Sequence, residues 1–185
     1  MIMTGLIILL VVVVLLAVYS MTAYNGFVTF RNRVKNAWAQ IDVQLKNRAD
    51  LVPNLVETVK GYATHEKETF DRIVQGRSGI MNAATPEEAM EANDMLSQGL
   101  SRLMVVVESY PELKANANFL ALQGDLRDLE EKIRYTRQFY NDTVLKFNTK
   151  IQTFPNNIMA GIFGFKEEVF FRADDGDRVA PTVQF

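Results

Sequence analysis

No cysteine occurs anywhere in this chain of 185 residues. Disulfides, thiolate metal sites and a cysteine nucleophile are therefore excluded, although the absence names no compartment. Histidine occurs once, at His65. A Ser–His–Asp system is poorly served by so few bases, and a di-iron bundle site, which takes a Glu-x-x-His pair from each of two helices, cannot be built. There is no excess of basic charge either: 20 Lys and Arg face 22 Asp and Glu, a net charge of −2, so no electrostatic field points to nucleic acid. Half-buried β-alternation is missing until Glu168 to Arg172, a stretch too short to found a sheet. Finally, no charged side chain stands between Met1 and Phe30.

That charge-free stretch is the most informative part of the chain. Leu6 to Val18 is an unbroken run of thirteen apolar residues. With Met1 and Ala23 as its limits, the block has room for the roughly 20 residues that a helix needs to cross a bilayer core of about 30 Å. Interior helices of soluble domains rarely read as apolar all the way round. A cleavable signal peptide would want Lys or Arg ahead of the apolar core and small residues at the cut. Nothing basic precedes Leu6, and Val18-Tyr19-Ser20-Met21-Thr22-Ala23 is a poor match. A retained transmembrane anchor over residues 1–24 fits best. Its first charged flank is Arg31, Arg33 and Lys35, against only an α-amino group upstream. Basic flanks tend to stay cytoplasmic, so the expected orientation has the N-terminus outside and the body in the cytoplasm, with a translocated body as the alternative.

The rest is one domain by length, expected as a helical bundle over residues 25–154 and a C-terminal apolar lid and tail over 155–185. Phe119, Leu122, Leu126, Leu129, Ile133, Thr136, Tyr140, Thr143, Phe147, Ile151 and Phe154 recur at steps of three and four, one stripe on one helix face. Pro155 blocks its continuation. Thr85-Pro86-Glu87-Glu88 opens another helix with a capping box and a proline at its first position, and Tyr110-Pro111 closes it. Gly99 inside that helix hints at close backbone packing. A first long helix is expected from about Phe27 to Arg77, bent at Pro53, with Asn25-Gly26 as a hinge behind the membrane. The predicted fold is all-α: an N-terminal transmembrane helix followed by an antiparallel bundle of three long helices, or four if the first breaks at Pro53.

Several of these residues carry a resemblance. Ala37-Trp38-Ala39-Gln40-Ile41-Asp42, Arg48-Ala49-Asp50-Leu51-Val52-Pro53-Asn54-Leu55-Val56-Glu57 and Val59-Lys60-Gly61-Tyr62-Ala63 with His65-Glu66 resemble the LemA family. Tyr110-Pro111-Glu112-Leu113-Lys114-Ala115-Asn116, Tyr140-Asn141-Asp142 and Phe154-Pro155-Asn156-Asn157 follow in the same order, and Tyr24-Asn25 fits behind the anchor. The resemblance implies a bacterial cell (inner) membrane protein with one span and a helical-bundle body. It supplies no catalytic residues for these positions. The occurrence of some members beside genes for a membrane-embedded stress metalloprotease points to envelope quality control.

Read for chemistry, the sequence offers little. His65-Glu66-Lys67-Glu68-Thr69 begins like a zinc-protease pattern, but Thr69 stands where the second ligand is needed. Glu66, Glu68 and Asp71 read as a solvated acidic face. Asp174-Asp175-Gly176-Asp177 lacks the spacing of a calcium loop, and Gly161-Ile162-Phe163-Gly164 has no lysine to follow it as a phosphate loop would. The expectation is a non-enzymatic protein with no catalytic residue, cofactor or metal, and no nucleic-acid partner.

Interaction is the stronger theme. In a simple up-down bundle the helix from Pro86 to Tyr110 covers only about 37 Å of a first helix about 76 Å long. Val28, Phe30, Val34, Trp38 and Ile41 would then lack an internal partner, a patch that monomers rarely expose. Ile158, Ile162, Phe163 and Phe165 form a second apolar cluster, read as a lid over the bundle end, a subunit contact or a lipid-interface segment. These nine residues are the candidate assembly interface. The expected partners are the lipid bilayer and further copies of the chain in a homo-oligomeric scaffold. The alternative is an adaptor or regulator of a membrane protease or another envelope complex.

Overall fold

A computed structural model describes residues 2–62 and 66–171. Six helices follow in order: α1 Ile2–Lys60, α2 Lys67–Asn82, α3 Pro86–Val107, α4 Pro111–Lys114, α5 Ala117–Gln152 and α6 Asn156–Phe163. The all-α expectation holds, with a long apolar helix at the N-terminus followed by further helices, and the described residues contain no strand.

Two expectations about α1 do not hold. Asn25-Gly26 is no hinge, because both residues lie inside one uninterrupted helix. Gly26 has a packing reason instead: a Cβ there would come 2.9 Å from Lys150 Nζ. The rod expected to run to Arg77 ends at Lys60, just before Gly61, and α2 starts afresh at Lys67. The body therefore has a fourth helix of some length, but the break is not at Pro53.

How α1 passes through Pro53 can be read from its neighbours. Proline has no N–H, so the carbonyl four residues back loses its helical partner. That carbonyl belongs to Ala49, and Arg77 Nε of α2 donates to it at 3.1 Å. The hydrogen bond lost within the helix is replaced from a neighbouring one.

The other helices start where local chemistry dictates. Thr85 Oγ1 accepts from Glu88 N at 3.2 Å, and Glu88 Oε2 reaches back to Ala84 N at 2.7 Å, a variant of the capping box with its return bond one residue early. Asn116 Oδ1 accepts from the N–H groups of Asn118 and Phe119 at 2.9 and 3.1 Å and caps α5. At 36 residues α5 has the length that its stripe indicates, although Phe154 lies beyond it and is 76% exposed.

Packing divides the chain into two compact units. The first joins the residues up to Ala37 with Phe139–Phe170; the second comprises Trp38–Gln138 and Phe171. Residues on both sides of positions 24 and 154 thus share the first unit. In the second unit α2 and α3 form an antiparallel hairpin. A Cβ on Gly76 would meet Leu96 N at 2.7 Å, and one on Gly99 would meet Ile73 Cγ1 at 2.7 Å. The close approach expected of Gly99 is what the helices show.

Candidate functional site

In the first unit, α6 and the segment behind it are fastened to α1 and α5. Tyr19 Oη donates to Asn156 Oδ1 at 2.9 Å, and Ser20 Oγ to Met159 Sδ at 3.4 Å. The Tyr24 ring meets Phe163 and Phe165 edge-on at 5.1 and 5.9 Å. Phe165 also lies against Phe27 at 5.1 Å and Phe147 at 6.5 Å. The helix ends in a left-handed Gly164 (φ 70°) whose turn lets Phe165 N reach Ala160 O, a stop that glycine makes without strain. Arg31 stands over Phe165 and Lys150 over Phe30, each 4.9 Å from the ring centroid. Beyond this, Lys166–Phe170 runs along α5 without forming a strand. The buried amide of Asn148 donates to Glu168 O and accepts from Glu168 N, both at 2.9 Å, while Tyr140 Oη donates to Val169 O at 2.8 Å.

In the second unit the notable group is Arg48, only 3% exposed. Its Nη1 donates to Asn93 Oδ1 at 3.0 Å and Ser97 Oγ at 2.9 Å, and its Nη2 to Glu130 Oε1 at 2.8 Å. One guanidinium therefore ties α1 to α3 and α5. Glu130 is largely open to water, so its ion pair is screened, whereas Asn93 is buried and depends on this bond for its acceptor. Neither Arg48 nor Asn93 stood out in the sequence as a polar pair. The available signal was an asparagine placed within the apolar stripe of α3.

The nine residues proposed as an assembly interface fall into different places. Val34 and Ile41 are 3% and 0% exposed within their own chain, so they cannot serve a neighbour. Val28 and Phe30 are half-buried, because the end of α5 packs in the same unit, with Lys150 over the Phe30 ring. Trp38 is half-buried too, its ring 6.3 Å from that of buried Phe171. Phe171 of its own chain occupies one side. Phe165 is half-buried in the ring cluster. Ile158, Ile162 and Phe163 are exposed.

Of the weaker candidates, Glu68 engages Arg72 at 3.1 Å and Arg102 at 3.5 Å on the surface, Asp71 is exposed and Glu66 half-buried. His65 and Asp174-Asp175-Gly176-Asp177 lie outside the described residues. Of the buried polar side chains, Arg48, Asn93 and Asn148 spend their bonds on holding helices and segments together.

The sequence pattern of the LemA family matches residues 37–185. Protein LemA of Metamycoplasma hominis is 28% identical to this chain over 156 residues, covering 84% of this chain and 71% of that protein. Magnetosome protein MamQ 2 of Paramagnetospirillum magneticum is 26% identical, over 86% of this chain and 70% of its own. Magnetosome protein MamQ of Magnetospirillum gryphiswaldense is 25% identical, over 87% and 69%. With the pattern of these helices matched from Ala37 onward, the chain belongs to the LemA family.

Proposed function

We propose that this protein is a non-enzymatic membrane scaffold, whose anchored copies assemble with one another and hold a membrane-associated complex together. The observation that carries this reading is the absence of any joint in α1 between the apolar span and the packed residues Phe27, Val34 and Ala37. A tethered enzyme gains from a flexible leash, whereas a structural component needs its body held in a fixed attitude to the bilayer. Relatives named as magnetosome proteins support a role as a component of a larger structure. The open sides of Val28 and Phe30 are where neighbouring copies would meet, and many anchored copies would convert weak contacts into a stable array by avidity.

Extraction from native membranes in mild detergent tests this. A uniform large particle of this chain alone is expected. A particle in which this chain is stoichiometric with a membrane protease or another envelope complex would replace the scaffold by the adaptor reading. Because the chain has no cysteine of its own, Val28→Cys gives a clean cross-linking site. With an added mild oxidant, disulfide-linked pairs should form in isolated membranes before solubilisation, and their absence would remove Val28 from the contact.

A further inference from the structure

From Ile151 to Phe165 the chain carries no charged side chain, yet much of this stretch faces outward. Ile158, Ile162 and Phe163 on α6 are 51%, 68% and 41% exposed, and Phe154 just before it is 76% exposed. In water such a cluster on a short helix costs free energy for each uncovered side chain. The place where α6 is fastened decides what covers it. Its hydrogen bonds go to Tyr19 and Ser20, and its ring contact to Tyr24. Counting from Ile2 at 1.5 Å per residue, about 20 residues fill the bilayer core near Met21. Tyr19 to Tyr24 straddle that exit, at the level where tyrosines gather in membrane proteins. The apolar surface of α6 is thus continuous with that of the span, and about 2 to 3 turns beyond Tyr24 come Arg31, Arg33 and Lys35, joined by Lys150.

We propose that α6 and Phe154 lie in the lipid interface, with Ile158 and Ile162 in the acyl boundary and Arg31 and Lys150 at the headgroup phosphates, so that the chain grips the bilayer at a second point beside its span. Interfacial helices bury their apolar side chains about 5 to 10 Å into the headgroup and acyl boundary, and Lys and Arg beside them add attraction to anionic lipid. The occupant of this face is lipid and not a second copy, because the surface begins where the span's own lipid contact ends. The inference rests on membrane attachment and is independent of assembly.

The test uses the full-length protein in phosphatidylcholine vesicles with and without phosphatidylglycerol. Ile162→Cys and, as a control in the second unit, Val105→Cys (72% exposed) each carry an environment-sensitive fluorophore. The label at 162 should be quenched by a lipid spin label placed shallow in the acyl chain, and iodide should quench it severalfold less than the label at 105. Equal iodide quenching at both sites would overturn the inference. Protection at 162 from iodide and lipid quencher alike would assign the face to another copy, and also overturn it. Flotation of the vesicles reads attachment separately: protein that floats with an iodide-accessible position 162 defeats only this proposal, whereas protein that does not float defeats the anchor as well.

Discussion

Pro53 removes one hydrogen bond from the longest helix of the chain, and Arg77 returns one to the same carbonyl. The two residues are therefore coupled although they lie on different helices. Arg77→Ala should cost about 1 to 2 kcal/mol, the worth of a hydrogen bond from a charged donor with part of its surface open. In a Pro53→Ala background the helix regains its own N–H, and the same change should cost less than half as much. Thermal denaturation of the four variants in detergent closes this cycle, and equal losses in both backgrounds would show that Arg77 acts elsewhere. Nothing in the sequence pairs the two positions, since the hydrophobic period reports which face is buried and is silent on which carbonyl lacks a donor. Arg48 was illegible for a related reason. A charged residue reads as exposed unless the partners that compensate it are known, and Asn93, Ser97 and Glu130 come from helices far along the chain.

Elements were far more legible than their ends and partners. The stripe of α5 and the cap of α3 carry their own local signals and formed as their residues dictate. The long first helix was read past its end, although a signal was present. Between Tyr62 and Phe70 the only apolar residue is Ala63, and Gly61 opens that gap. The extended segment at Lys166–Phe170 overlaps the short alternation at Glu168 to Arg172, but a helix side chain and not a sheet holds it. Asn148 offers its amide to both backbone groups of Glu168, as a neighbouring strand would. Asn148→Leu keeps the branched shape and removes both bonds, at about 1 kcal/mol each. Trypsin should then cut at Lys166 severalfold faster in the full-length protein, while the helix content by circular dichroism stays the same. An unchanged cleavage rate would mean that Tyr140 and the Phe165 cluster suffice to hold the segment.

For the molecule as a whole, the span and the basic flank behind it make orientation the first quantity to measure. A reporter fused after Phe185 should behave as cytoplasmic, with Met1 outside, because a basic flank such as Arg31, Arg33 and Lys35 tends to stay cytoplasmic. Neutralising all three should give a mixture of orientations. Labelling of the C-terminus in intact cells by an impermeant reagent would reverse the assignment. A helix without a joint at the membrane surface has a mechanical consequence too. Bilayers differ in thickness, and a span answers mismatch mainly by tilting. In a protein with a hinge at that point the tilt would be absorbed there. Here Asn25 and Gly26 are helical, so a change of tilt at Leu10 is delivered to Phe27 and Val34 as a rotation of the same lever. Bilayer thickness thereby becomes an input that the packed residues of the first unit must feel.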